Sequence, residues 1–189
     1  MRNNAGFTLA ELMITIAIIG IISAIAIPNM IGWVPKYRLQ NAASDLRGEL
    51  QATRFRAIKE NREFAIFFDT ANNRYQVVDS GPNRNYDGLV GGTDDLAIKT
   101  VNLSQYYSGV GYGNGNATID ATVAGNPFPG GFDFVSYASN AVVFLPTGLI
   151  QGMGYVYLTN IRGDAFALGT PSIAGTVVLR IWDGGNWTQ

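Results

Sequence analysis

The sequence predicts an α+β protein in which a long N-terminal helix packs on an antiparallel β-sheet head. The first observation is a run of 21 residues, Phe7 to Ile27, that is apolar except for Glu11. A helix of this length spans the roughly 30 Å hydrocarbon core of a membrane. The second observation is that from Phe64 onward apolar and polar residues alternate, which is the period of a half-buried β-strand.

The helical pattern continues beyond the apolar run and becomes amphipathic. Small or apolar residues recur at spacings of four and three, which places them in a narrow stripe on one helix face. This stripe consists of Leu39, Ala43, Leu46, Leu50, Thr53 and Ala57. Pro28 removes a backbone donor, and Gly32 and Pro35 follow it, so we expect one broken helix from Phe7 to about Asn61, kinked or loosened near Pro28.

Three simpler interpretations of the apolar run compete with the interpretation that it is the first half of one long helix. It could be a plain single-pass anchor, a buried core helix, or a secretory signal peptide, since Ala24-Ile25-Ala26 fits the small-x-small cleavage pattern. The charge of Glu11 near the start of the run and the amphipathic continuation after it both weaken the signal-peptide interpretation.

The C-terminal two thirds of the chain predict short antiparallel strands. EFAIFFD, TANN and RYQVVD, beginning at Glu63, indicate a strand, a turn and a strand. Further strands are predicted in AVVFLPTG, YVYLTNIRGDAFALG and GTVVLRIWDGGNW, with a tight turn at 162–164 and a turn or a frayed end at 183–186. Residues 79–131 are rich in Gly, Asn and Asp and predict loop or irregular β-structure, with one short strand at Lys99 to Leu103.

Composition excludes several kinds of chemistry. The chain has no cysteine and no histidine, which removes disulfides, thiolate nucleophiles, His-based triads and the commonest zinc ligands. Carboxylate catalysis would need a positioned pair, and none is visible in the sequence. The 13 basic and 14 acidic residues balance, so the total charge implies no polyanionic partner. We therefore predict neither an enzyme nor a cofactor or metal site.

The N-terminal residues Gly6-Phe7-Thr8-Leu9-Ala10-Glu11, followed by an apolar run, resemble the class III signal of type IV prepilins. The resemblance implies that a prepilin peptidase cuts between Gly6 and Phe7 and that Phe7 becomes a methylated N-terminus. It also implies assembly roles for Glu11 and Pro28, the fifth and twenty-second mature positions. The chain would then divide into a leader (1–6), a membrane-spanning, filament-core half-helix (7–29), an amphipathic half-helix (30–62) and a periplasmic head (63–189).

Two further stretches narrow the resemblance. ASDLRGELQATRFRAIKENREFAIFFD, and the ending from GYVYL to GGNW, resemble the GspH/FimT group of minor pilins and pseudopilins. This implies a structural subunit that initiates or caps a type IV pilus or a type II secretion pseudopilus. Its partners would be other pilins, the prepilin peptidase and the inner-membrane assembly platform. Its location would be the bacterial inner membrane, with the head in the periplasm.

Two roles for individual charges follow from this resemblance. The Glu11 carboxylate is expected to pair with the Phe7 ammonium of a neighbouring subunit or of its own chain, the alternative being an interfacial Glu that reaches toward headgroups. The alternative function is DNA uptake, since some FimT-like members bind DNA through Gly-Arg-x-Arg. Here the comparable stretch, Gly175 to Arg180, lacks the first Arg, which leaves Arg180 for a weak nucleic-acid contact and makes nucleic acid an unfavoured partner.

Three other clusters have plainer explanations. Asp79, Asp87, Asp94 and Asp95 could hold calcium, but solvated turns explain them as well. The basic residues Arg47, Arg54, Arg56, Lys59 and Arg62 alternate with acids and fit a solvated helix face with intrahelical pairs better than a nucleic-acid patch. Tyr155, Tyr157, Trp182 and Trp187 are expected in β packing rather than in a sugar or base platform.

Overall fold

A computed structural model describes residues 7–88, 94–122 and 124–189, apart from the side chain of Asn29. It begins with the helix α1 (Leu9–Glu60), and the rest of the described chain is mainly β-structure. The strands are β1 (Phe64–Asp69), β2 (Arg74–Asp79), β3 (Leu96–Asn102), β4 (Gly111–Tyr112), β5 (Ala141–Phe144), β6 (Ile150–Gln151), β7 (Gly154–Thr159), β8 (Ala165–Thr170), β9 (Val178–Trp182) and β10 (Trp187–Thr188). Short 3₁₀ helices lie at Leu103–Tyr106 and Ala138–Asn140.

The chain divides into two compact units, Met1–Val34 and Pro35–Gln189. The first unit contains Leu9–Pro28, the one helical stretch among the described residues that is long and apolar enough to cross a membrane. Its large apolar side chains are exposed within the protein itself, as Leu12, Ile18 and Ile25 illustrate. Such a surface is stable only against lipid or against other apolar helices.

Helix α1 runs through Pro28, Gly32 and Pro35 as one continuous element, so the predicted interruption does not occur, while the predicted kink near Pro28 stays a prediction. A proline removes one backbone donor, but the hydrogen bonds of the turns on either side persist and keep the chain helical. The helix ends where Asn61 adopts a left-handed φ of 52°. The Arg62 amide then donates to the Ala57 carbonyl at 3.3 Å, a Schellman-type C-cap that directs the chain into β1.

The strands form two antiparallel five-stranded sheets. The order in the first sheet is β3-β2-β1-β5-β6, and the order in the second is β10-β9-β8-β7-β4. The predicted hairpins β1–β2 and β7–β8 are confirmed, with their turns at 70–73 and 160–164. Residues 183–186, predicted as a turn or a frayed end, form a turn between β9 and the short strand β10. In the first of these turns Asn73 takes a φ of 51°, a conformation that Asn tolerates better than most residues.

The region 79–131 contains more β-structure than the sequence predicts. Strand β3 extends from Leu96 rather than Lys99, β4 follows it, and Ile119 pairs with Pro127 through an isolated bridge. These elements escape prediction because β3 is an edge strand in which Val101 alone is buried, so its apolar residues do not alternate. Residues 89–93, which belong to the same predicted loop, lie outside the described residues.

One hydrophobic cluster joins the second half of α1 to both sheets. All six stripe residues of the helix are completely buried, as predicted. Leu46 shares this cluster with Ile66 of the first sheet and Leu168 of the second. Burying a Leu or Ile side chain contributes about 1.5–3 kcal/mol, so the stripe is a main source of stability for this unit.

We predict that a fragment beginning at Lys36 is soluble and folded, because the membrane-length segment lies wholly before it and the core lies wholly within it. Circular dichroism should show mainly β-structure, and denaturant should unfold the fragment cooperatively. Leu46→Ala should lower the free energy of unfolding by about 2–5 kcal/mol. Phe55→Ala, on an exposed position of the same helix, is the control and should change it by about 0.5 kcal/mol or less. A precipitating fragment would contradict this division of the chain.

Candidate functional site

The Glu11 carboxylate is held by the first turn of its own helix. Helix α1 begins at Leu9, so Thr8 is the N-cap residue and Glu11 is the third helical residue. The Thr8 amide and the Thr8 hydroxyl both donate to Glu11 Oε2 at 2.9 Å, and the Glu11 amide donates to Thr8 Oγ1 at 3.2 Å. This is a reciprocal capping box, in which two otherwise unpaired amides of the helix start are satisfied.

The capping box supplies a partner for Glu11 that sequence reasoning missed. The spacing Thr-x-x-Glu before an apolar run is its signal, and it stands in the sequence at Thr8 to Glu11. Thr15 extends the arrangement, since its hydroxyl donates to the Glu11 carbonyl at 2.6 Å. Oε2 of the carboxylate therefore has its partners within the isolated chain.

The other predicted N-terminal site residues are placed only in part. Gly6 lies outside the described residues, so cleavage after it stays a prediction. The Phe7 side chain is 91% exposed and has room for any partner. Pro28 lies inside the continuous helix, at the end of the candidate span.

Arg180 lies on the outer face of the second sheet, where its guanidinium is already bound. Its Nη1 donates to the Ala121 carbonyl at 2.8 Å, and its Cζ lies 5.6 Å from the centre of the Tyr155 ring. The Nε atom is buried without a hydrogen-bond partner. These two contacts hold the side chain against the sheet.

Ala121 is the point at which a loop is fastened to this outer face. Its amide donates to the Tyr157 hydroxyl at 2.8 Å, while its carbonyl accepts from Arg180. Trp187 Nε1 donates to the Ile119 carbonyl at 2.8 Å. Burial raises the pKa of Tyr157 far above its ordinary value, so its hydroxyl stays neutral. Side chains thus satisfy both peptide groups of a buried residue that belongs to no strand.

The aromatic residues of this face pack as predicted. Tyr155 and Tyr157 are buried in a cluster that the partly buried Phe128, Phe132 and Trp187 complete. Phe128 and Phe132 stack with their centres 5.7 Å apart, and Tyr157 meets the neighbouring rings edge-on or tilted, with its centre 5.6 Å from that of Trp187. Their faces are covered by one another and by the loop, so they form a small second core rather than an open stacking platform.

The acidic residues proposed for calcium serve as turn acceptors. Asp94 and Asp87 accept hydrogen bonds from Asn83, and Asp95 accepts from the amides of Asp87 and Gly88. Burial raises the pKa of Asp95, and the neighbouring carboxylates add to this. Within the described part of the chain, no three acidic side chains come together in a group that could hold a metal ion.

The basic residues of the second half-helix are largely paired. Arg56 lies 3.4 Å from Glu49, whose other oxygen contacts Lys99, and Arg62 bridges to Asp79 at 2.9 Å. Arg54 Nε donates to the Gly148 carbonyl at 2.8 Å. These side chains connect the helix to the sheets and to their loops, and they do not form a basic patch.

We predict that Thr8→Val loosens the start of α1. The valine keeps the shape of the threonine but cannot accept from the Glu11 amide, so amides of the first turn should exchange hydrogen roughly five-fold faster in micelles. Thr8→Ser retains the hydroxyl and is the control, with exchange close to that of the unchanged chain. Equal exchange in all three proteins would show that the capping box does not form.

We also predict that Arg180→Ala lowers the free energy of unfolding by about 1–3 kcal/mol, because the Ala121 carbonyl loses a charged donor. Arg180→Lys keeps the charge but not the planar group over Tyr155, so its free energy of unfolding should lie between those of the unchanged protein and of Arg180→Ala. Gel-shift titration at moderate salt should show weak DNA binding that neither change alters. Tight binding abolished by Arg180→Ala, with stability unchanged, would contradict the structural role and support DNA uptake.

Comparison with known proteins assigns both ends of the chain. The model of the prokaryotic N-terminal methylation motif matches residues 1–27, which include Gly6, Phe7 and Glu11. The model of the type II transport protein GspH matches residues 42–180, which include the second half of α1 and most of both sheets.

Individual relatives resemble shorter stretches. The type IV major pilin protein PilA of Myxococcus xanthus (strain DK1622) is 52% identical over 44 residues, 23% of this chain and 20% of PilA. The type II secretion system core protein G of Aeromonas hydrophila is 42% identical over 45 residues, 24% of this chain and 32% of that protein. The chain therefore spans at most about a third of the length of these two relatives.

A solved structure extends the likeness to the fold. The type IV minor pilin FimU of Pseudomonas aeruginosa (strain PAO1) superposes with a TM-score of 0.50 at 13% identity, over 83% of this chain and 97% of FimU. At that identity the likeness concerns the fold alone, and it agrees with a long helix followed by an antiparallel β head. Because the GspH model covers most of the described head and half-helix, the chain belongs to the family of the type II transport protein GspH.

Proposed function

We propose that this protein is a minor pilin or pseudopilin, a structural subunit that initiates or caps a type IV pilus or type II secretion pseudopilus. The observation that carries the proposal is the contrast between the two halves of α1. The half at Leu9–Pro28 leaves its apolar side chains exposed, whereas the stripe from Leu39 to Ala57 is completely buried in the head. The exposed half is thus available to lipid first and to the helices of other subunits later.

The mechanism of this proposal is packing rather than chemistry. The apolar half-helix waits in the inner membrane, the assembly platform extracts it, and it joins a core of similar helices. GspH proteins form a family of structural subunits, and composition supplies no catalytic pair, so we propose no enzymatic role. The leader would be removed by a prepilin peptidase between Gly6 and Phe7, with the head on the periplasmic side.

Glu11 gives the packing its axial register in this proposal. Cleavage would leave Thr8 as the second residue and a methylated ammonium on Phe7. In the membrane the Glu11 carboxylate is satisfied by Thr8, at 2.9 Å from both the amide and the hydroxyl. In a filament it would exchange part of this capping box for the ammonium of a neighbouring Phe7. The charge pair exists only in the correct register, so it selects that register over others.

DNA uptake receives less support than a structural role. The stretch that would carry it has one arginine, and Arg180 is bound to Ala121 and Tyr155. The neighbouring Asp120 adds negative charge at the same place, where its carboxylate accepts from the amides of Thr122 and Asn126. Phosphate binding requires clustered and accessible cations.

A series of substitutions at Glu11 tests the register mechanism and separates it from helix capping. Glu11→Gln keeps an oxygen for the capping box but carries no charge, so it should be processed, inserted and folded yet poorly incorporated. Glu11→Val loses both features and should incorporate no better. Glu11→Asp keeps the charge with a shorter reach and should be intermediate. The measurement is the ratio of subunit in sheared filaments, or crosslinked to its neighbours, to subunit in the membrane.

The glutamine variant decides between the two explanations. If Glu11→Gln incorporates as well as the unchanged subunit while Glu11→Val fails, capping of the helix explains the requirement and charge pairing is wrong. If all three variants incorporate normally, the apolar surface alone drives assembly. A separate experiment decides which filament the protein serves. Deleting the protein should impair piliation if it belongs to a type IV pilus, and exoprotein secretion if it belongs to a type II secretion pseudopilus.

A further inference from the structure

One corner of the Pro35–Gln189 unit brings together an exposed aromatic ring, an exposed aliphatic side chain and a partly buried guanidinium. Arg38 lies over the Tyr107 ring, with its Cζ 5.3 Å from the ring centre, and its Nη1 donates to Ser108 Oγ at 3.0 Å. The Ile161 amide donates to the Ser108 carbonyl at 3.0 Å. We call Arg38, Tyr107, Ser108 and Ile161 the basal patch.

The apolar members of the basal patch are held outward. The Tyr107 side chain is 70% exposed and that of Ile161 is 73% exposed, which is high for large apolar residues. Tyr107 and Ser108 adopt φ angles of 58° and 51°, a conformation that costs non-glycine residues about 1 kcal/mol or more each.

The position of the patch along the chain points to its occupant. Arg38 follows the end of the candidate span at Pro28 by ten residues of the same helix, about 15 Å, so the patch includes the part of the head that is next to the span in sequence. The intervening helix carries exposed aromatic residues at Trp33 and Tyr37, with Lys36 between them. Tyr, Trp, Lys and Arg are the residues that concentrate at the level of lipid headgroups.

We propose that the basal patch rests on the headgroup layer of the membrane that anchors the protein. Tyr107 and Ile161 enter the headgroup region, and Arg38, with Lys36 beside it in sequence, faces the lipid phosphates. The turn that holds Ile161 also contains Arg162 and one acid, Asp164, whose carboxylate accepts from Asn160 Nδ2 at 2.8 Å. Cations thus outnumber acids around the patch, which favours an anionic lipid surface.

Binding of the basal patch to lipid would affect the subunit before it joins a filament. Contact with lipid would fix the orientation of the head against the membrane, and extraction of the helix would have to release it. The inference rests on membrane anchoring and is independent of the filament role, because it concerns one subunit among lipids only. A surface reserved for another subunit would remain uncovered under the same conditions, so the two occupants can be distinguished.

Site-specific labelling is simple in this protein because its sequence contains no cysteine. Ile161→Cys places one environment-sensitive fluorophore in the basal patch. Ile173→Cys is the matched control, since Ile173 is an isoleucine with 58% exposure whose carbonyl accepts from Ile150. It belongs to the end of the head near Ile58, twenty helical residues or about 30 Å beyond Arg38. The full chain is reconstituted into phosphatidylglycerol–phosphatidylcholine vesicles with a nitroxide-labelled headgroup as quencher.

The expected result is quenching at position 161 at least about three-fold stronger than at position 173. Replacing phosphatidylglycerol by phosphatidylcholine should reduce the difference, and so should Arg38→Gln in the Ile161→Cys background. Circular dichroism confirms that each variant is folded. Equal or absent quenching at both positions would overturn the proposal. So would a 161 probe that stays unquenched in vesicles and becomes shielded only when other filament subunits are added, since that result identifies a subunit interface.

Discussion

Burial of the helical stripe between Leu39 and Ala57 is the interaction on which the rest of the structure depends. It joins α1 to the inner faces of both sheets in a single cluster. Within the described part of the chain, the same helix leaves the apolar side chains of its N-terminal half, Leu9–Pro28, exposed. One element therefore serves two environments, and the change between them falls where the compact units divide, after Val34.

Glu11, the charged residue in the exposed half of α1, has a local hydrogen-bond partner and stays accessible to other subunits. The Glu11 carboxylate is satisfied by Thr8, so the isolated helix has a stable start. These hydrogen bonds are local and exposed, so a cation from another subunit can take the place of Thr8 as a partner of the carboxylate without disrupting the fold. A deeply buried ion pair would resist such an exchange, because breaking it would leave an unpaired charge in an apolar environment.

The outer face of the second sheet illustrates the opposite arrangement. Arg180, Tyr157 and Trp187 use their polar atoms to fasten a loop, and the aromatic rings beneath it are buried in consequence. A cation that sequence alone leaves free for nucleic acid is thus a structural residue. The basal patch, in contrast, keeps Tyr107 and Ile161 exposed next to Arg38. Exposure after folding, rather than residue type, separates residues that can meet a partner from those that cannot.

The sequence by itself determined the features that depend on period and on local motifs. The apolar run, the buried stripe, the hairpins β1–β2 and β7–β8 and the capping-box spacing at Thr8 and Glu11 are all legible in it, because neighbours along the chain produce them. The tertiary structure alone decided the division into two sheets, the edge strand β3 and the commitment of Arg180 to Ala121. These features depend on contacts between residues far apart in the chain, such as Ala121 and Arg180, whose numbers differ by 59. The sequence carries no periodic signal for such contacts.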